Sequence, residues 1–264
     1  RRAALSWDGA EFSRLADAAI ETFAAARPRG AEPALGSDVV LIVGLPNAGL
    51  ERVLAALAAH PDASVGDGVP ELVHVIQEES TRRHATFPEW VHDADADDWR
   101  RLGRHYVERI ARWSRSGAVQ IDATPGQFPF LGAALAMLPG ARVVDCRDDA
   151  LETCWYAYRR LFPIGREAYS YDFVDLARHW RDYDRLMLFW HAQHAGRVHQ
   201  HDAARLAADP ATALRELLAF CGLSFDADGL KARAPAAPLA AAREYGARLE
   251  PLRRLLDPYA RAAD

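Results

Sequence analysis

Apolar positions fall at helical spacing over residues 9–27, where Phe12, Leu15, Ala19, Ile20 and Phe23 follow Asp8 or Gly9 as a start signal. This predicts an amphipathic opening helix. A Pro/Gly/Arg linker from Pro28 to Gly36 leads into Val39-Val40-Leu41-Ile42-Val43, an unbroken β-branched run that stops at Gly44. Such a run reads as a strand buried on both faces of a parallel sheet. A helix is expected next, from Asn47 to His60. The same alternation recurs twice, as a strand at 118–122 with a helix from Phe128 to Met137, and a strand at 141–146 with a helix from Ala150 to Leu161. Repeated strand–helix units predict an α/β fold with right-handed crossovers: a three-layer parallel sheet flanked by helices.

Helical patterns also cover 99–114 and 173–194, a short strand is expected at 197–200, and helices at 211–221 and about 241–260 finish the chain. An Ala/Pro-rich linker spans 232–242. The acidic, aromatic stretch from Phe87 to Asp98 reads as a lid or wall over a site, or as a surface segment with a buried face. The expected organisation is residues 1–36 as helix and linker packed on one globular unit, 37–264.

Charge narrows the function. With 32 Lys+Arg against 37 Asp+Glu the net charge is −5, and basic residues never cluster beyond pairs, which argues against a nucleic-acid partner. No apolar run approaches the ~18 residues of a membrane span, so no membrane partner is expected. Cys146, Cys154 and Cys221 lack CxxC spacing, fit neither a disulfide framework nor a zinc site, and suit a reducing cytoplasm. The chain begins at Arg1 without Met, so residues are expected to precede it.

The loop after the first strand, Gly44-Leu45-Pro46-Asn47-Ala48-Gly49-Leu50-Glu51, lies where backbone N–H groups and a helix dipole can hold an anion. It lacks the Gly-Lys-Ser/Thr ending of a nucleotide-hydrolase P-loop. Taken with motifs further along the chain, however, it resembles the sulfotransferase family, in particular bacterial members linked to tetratricopeptide repeats and the tyrosylprotein sulfotransferases. The residues that carry the resemblance are Val43-Gly44-Leu45-Pro46 with Gly49, His60-Pro61-Asp62, Asp122-Ala123-Thr124-Pro125-Gly126-Gln127-Phe128, and Cys146-Arg147-Asp148-Asp149-Ala150-Leu151-Glu152-Thr153-Cys154. Leu161-Phe162-Pro163, Asp209-Pro210 and Phe220-Cys221-Gly222-Leu223 continue in the family's order.

The resemblance implies a fold akin to P-loop nucleotide kinases and the donor 3′-phosphoadenosine 5′-phosphosulfate (PAPS). It also implies a Glu as base toward an acceptor hydroxyl, and makes an N-terminal repeat region plausible. Position by position, the family's loop Arg is Asn47, its Ser is Ala48, and its two Thr are Leu50 and Glu51. Ala123 replaces the supporting Lys, Asp148 the 3′-phosphate Arg, and Tyr156 that Arg's Ser partner. Gly44, Pro46, Gly49 and Pro125 keep the loop's shape. The family's C-terminal nucleotide loop, with its Arg and Trp, is replaced by an Ala/Pro segment.

Magnitudes weigh these losses. A charge-assisted hydrogen bond contributes roughly 1.5–3 kcal/mol, and a carboxylate about 4 Å from a phosphate adds repulsion of order 4 kcal/mol at an effective dielectric of ~20. Three lost cations and two gained acids, Glu51 and Asp148, exceed the ~8 kcal/mol of a micromolar ligand. Arg52 or Arg147 nearby would compensate in part.

Three readings are open. The chain is a pseudo-sulfotransferase without PAPS that binds a peptide, metabolite or protein partner in its cleft. Or it is a repurposed enzyme with Glu71, which resembles the family's base, acting on a cationic or neutral substrate; the plainer role for Glu71 is an exposed first-turn helix residue. Or it is a PAPS-dependent sulfotransferase with relocated ligands. Histidines 191, 194, 199 and 201 with Asp202, and Asp67 with Glu71 and the 93–98 acids, read as hydrogen-bonded or solvated groups rather than metal sites. Tyr156 is expected to point toward the old nucleotide pocket and fill it.

Overall fold

The computed structural model describes residues 7–26, 28, 30, 32–115, 117–163, 167–225 and 242–260. Five strands form one all-parallel sheet: β1 (Val39–Val43), β2 (Ala63–Val65), β3 (Val119–Asp122), β4 (Arg142–Arg147) and β5 (Val198–Asp202), in the order β2-β3-β1-β4-β5. The central β1 is 0–1% exposed along its whole length, which is what a continuous apolar run requires.

Alternation splits that strand between two helical layers. Val40 and Ile42 pack with Leu50, Val53 and Leu57 of α2 (Ala48–Ala58), Leu206 of α8 (Ala203–Ala208) and Leu217 of α9 (Pro210–Cys221). Leu41 and Val43 face the opposite layer: α1 (Gly9–Ala25), α3 (Glu71–Arg83), α4 (Ala96–Ile110), α5 (Leu131–Met137) and α7 (Phe173–Gln193). A smaller core joins α6 (Ala150–Arg159), the start of α7 and α10 (Glu250–Ala260) through Cys154, Leu176, Leu252 and Leu256. The opening helix lies against α7, with Phe23 edge-on to Trp190 at 5.5 Å.

The structure departs from the sequence-based expectation at particular points. The 87–98 stretch forms a 3₁₀ turn (Glu89–Asp93) and the start of α4, a surface segment whose Trp90 and Val91 are buried. Its helix begins at Ala96 rather than 99, because Asp95 and Asp98 close a capping box. A 3₁₀ turn, Pro125–Phe130, occupies the start of the helix expected from Phe128, since Pro129 supplies no N–H. The expected 241–260 helix is a 3₁₀ segment, Ala242–Leu249, broken at Gly246 (φ 45°), followed by α10. Strand β2 and helix α8 are additions. No helix among the described residues is long and apolar enough to cross a membrane. The Ala/Pro segment before Ala242, where the family's C-terminal nucleotide loop was expected to be missing, lies outside the described residues.

Candidate functional site

In an open parallel sheet, ligands bind beyond the carboxyl ends of the strands where the strand order reverses. Here that point is the exit of β1, between β3 and β4. The chain leaves it through Gly44, whose φ of 150° and close approach to Cys146 leave no room for a side chain: a Cβ would lie 2.7 Å from the Cys146 carbonyl oxygen. The Gly44 N–H donates to the Pro125 carbonyl at 3.2 Å, tying this loop to the one after β3.

Asn47 fills the loop from inside. It is 1% exposed, and its Oδ1 accepts the Leu50 N–H at 2.7 Å as the N-cap of α2. Its Nδ2 donates to the carbonyls of Leu45 (2.9 Å) and Cys146 (3.2 Å). A donor that a helix N-terminus would offer to a phosphate is thus spent on the protein's own amide. Gly49 is pressed against α8, where a Cβ would come within 2.6 Å of the Ala203 side chain. Leu50 is buried, and Pro46 and Ala123 are half-buried at the crevice wall.

Glu51 reaches from the first turn of α2 to Arg160, whose guanidinium donates to it and to the Tyr156 hydroxyl. Burial, and then the hydrogen bond to Glu51, push the Tyr156 hydroxyl up to about 12, so it keeps its proton and donates. Tyr156 is thereby joined, through Glu51 and Arg160, to the first turn of α2.

Asp148, at the exit of β4, sits on an open cavity of about 610 Å³ shared with Asp149, Glu152, Ala203, Ala207 and Arg253. It accepts the Asp149 backbone N–H at 2.8 Å, a donor without charge. Burial pushes its carboxyl up to about 6, with Glu152, Asp149 and Asp202 adding repulsion. Two of those neighbours have local duties: Asp149 caps α6 and Asp202 caps α8.

The arginines expected to compensate are engaged. Arg147 donates to Asp145 at 2.9 Å and to Asp184 at 2.6 Å, and lies over the Tyr183 ring at 5.2 Å. Arg52 has interactions of its own. The buried Asp145 also accepts from Tyr183 and meets His191 Nε2 at 3.1 Å, so this set forms a polar knot at β4 in which the buried Arg147 Nη2 is left without a hydrogen-bond partner.

Glu71 corrects its plainer reading. It opens α3, but is 6% exposed rather than solvent-facing, and its Oε2 is bound by Arg109 Nε of α4 at 2.5 Å, with His74 Nδ1 at 3.6 Å. Beside it, Tyr106 donates to the buried Asp122 at 2.7 Å. His194 and His201 are pushed down to about 4 by burial, and His199 stacks on Phe220 at 4.9 Å. Among the described residues no three His, Cys, Asp or Glu side chains are gathered as a metal ion would need.

Sequence reasoning missed Arg160, Arg109 and the Asp145 knot. Only Arg160 had a local signal, four residues after Tyr156 on one helix face.

The sequence model of the sulfotransferase family matches residues 39–227, from the first strand to just past α9. The chain belongs to the sulfotransferase family. A sulfotransferase from Mycobacterium avium is similar in fold, with a TM-score of 0.53 and 14% identity over 99% of this chain and 87% of its own. The sulfotransferase domain from the curacin biosynthetic pathway gives 0.50 and 12% identity over 89% of this chain and 99% of its own. An uncharacterised protein from Aquifex aeolicus (strain VF5) is 24% identical over 195 residues, 71% of this chain but 26% of that relative's length. Sulfotransferases normally use PAPS. In this member the positions that the resemblance assigns to the donor hold, among the described residues, a self-capping Asn47 and the carboxylates of Glu51 and Asp148.

Proposed function

We propose that this chain is a pseudo-sulfotransferase, which has given up PAPS and uses its cleft to bind a peptide, metabolite or protein partner. The observation that carries the reading is Asn47, whose buried amide takes the place of an anion at the start of α2. Glu51 and Asp148 add charge of the wrong sign on either side, and Arg147 is neutralised by Asp145 and Asp184. The ligand this lining favours lacks the donor's anionic groups.

Base catalysis by Glu71 is supported less. The residue is 6% exposed and its carboxylate is engaged through Oε2 by Arg109 at 2.5 Å, a setting that packs α3 on α4 rather than one turned toward an acceptor.

Calorimetric titration with PAPS and with adenosine 3′,5′-bisphosphate tests the reading. Neither ligand is expected to bind up to about 1 mM, which corresponds to roughly 4 kcal/mol. Micromolar affinity, or sulfate transfer to phenols or tyrosyl peptides, sinks it.

A further inference from the structure

Glu51 and Arg160 stand 109 positions apart, yet meet at the mouth of the 44–51 loop. Glu51 belongs to the first turn of α2, and Arg160 is the residue that ends α6. Tyr156 completes the group: Arg160 donates to its hydroxyl and lies over its ring at 5.1 Å, while Arg159 approaches the same ring at 6.0 Å. The three side chains span two of the positions where the family resemblance places donor ligands, 51 and 156.

We propose that this clasp is an autoinhibitory contact: the Glu51 carboxylate acts as an internal anion that occupies Arg160 and bars external anions from the crevice. The idea rests on the reading that PAPS binding is lost, and names what enforces that loss. Charge balance gives it content. With Glu51 in place an incoming anion meets a carboxylate and an arginine already neutralised; without it, the same anion meets an uncompensated guanidinium.

Exposure makes the contact exchangeable. The side chains of Glu51 and Arg160 are 52% and 45% exposed, so solvent screens the pair and little of the fold depends on it. That separates it from Glu71–Arg109, at 9% and 16%, which is built into the packing of α3 on α4.

The test is titration of inorganic pyrophosphate at low salt into the wild-type chain, Glu51→Gln, and the double variant Glu51→Gln with Arg160→Gln. Glu51→Gln is expected to bind at least tenfold more tightly than wild type, and the double variant to return to the wild-type level. Equal affinity of wild type and Glu51→Gln, in chains with unchanged thermal melts, overturns the proposal and leaves an ordinary surface ion pair. Glu51→Ala, which also removes the hydrogen bond to Tyr156, serves as the second variant should Gln fail to fold. Micromolar binding of adenosine 3′,5′-bisphosphate to the wild type would defeat the pseudo-sulfotransferase reading, while the pyrophosphate ratio would still judge the clasp.

Discussion

Two acids drawn away from solvent in different parts of the fold have opposite fates. Glu79, 2% exposed on α3, is enclosed by the guanidinium groups of Arg82, Arg83 and Arg101. Its burial raises the carboxyl's proton affinity, but the three arginine hydrogen bonds overcome that and draw it down to about 2. The half-buried Asp148 meets the cost of desolvation with acids for neighbours, and moves up to about 6. The Glu79 cluster borders the larger groove, about 870 Å³ between α3 and α4, whereas Asp148 borders the smaller cavity at the strand ends. The larger hollow is thus the one lined by compensated charges. Compensation marks structure, and its lack marks a place where the fold tolerates a cost.

The largest test of that contrast is Glu79→Ala. It leaves three arginines facing one another beside Asp98, and should destabilise by about 3–5 kcal/mol, the range for breaking a buried pair. At about 2–4 °C per kcal/mol for a chain of this size, the melting temperature falls by roughly 10 °C. A loss under about 1 kcal/mol would mean that Asp98, held by Arg83 and Arg101, suffices for the cluster.

Asp148→Asn should act in the other direction. The folded-state carboxyl binds its proton more tightly than the unfolded one, so the wild type gains stability as pH falls from about 6 toward 3.8. Asn imitates the protonated form. The variant should gain about 1–2 kcal/mol at about pH 7.5 after allowance for partial exposure, and no advantage near pH 4. Denaturant melts across that range check it, and a gain that persists in acid would assign the effect to packing rather than charge.

The smallest effect belongs to Glu51→Gln. An exposed pair contributes about 0–1 kcal/mol, so its melt should shift by no more than about 4 °C. A larger shift would place Glu51 with Glu79 among structural acids and blunt the contrast.

Much of the fold could be read from the chain itself. The run at 39–43 and the glycine after it announced a central buried strand, and Leu176, Tyr183, Leu186, Met187 and Trp190 marked the long α7. Strand β2 escaped because three residues give no periodicity to detect. At the site, the residues standing at the positions that the resemblance assigns to the donor could be named from the chain, but not the partners that hold them. The partner of Glu71 lies 38 positions away and that of Glu51 lies 109 away, and no local pattern joins residues at such distances. Asn47 was legible as a substitution, yet its role as a cap depends on the loop being closed around it.

The tight fit of Gly44 against β4 bears on how such loops are recognised. Any side chain there would drive β1 and β4 apart, so the sheet demands glycine whether or not a nucleotide ever arrives. The outline of the loop is thus set by the sheet, and loop shape alone does not tell a donor-using member from one without the donor. Discrimination has to come from positions that the packing of the sheet leaves free to vary, such as the exposed Glu51 and the half-buried Asp148.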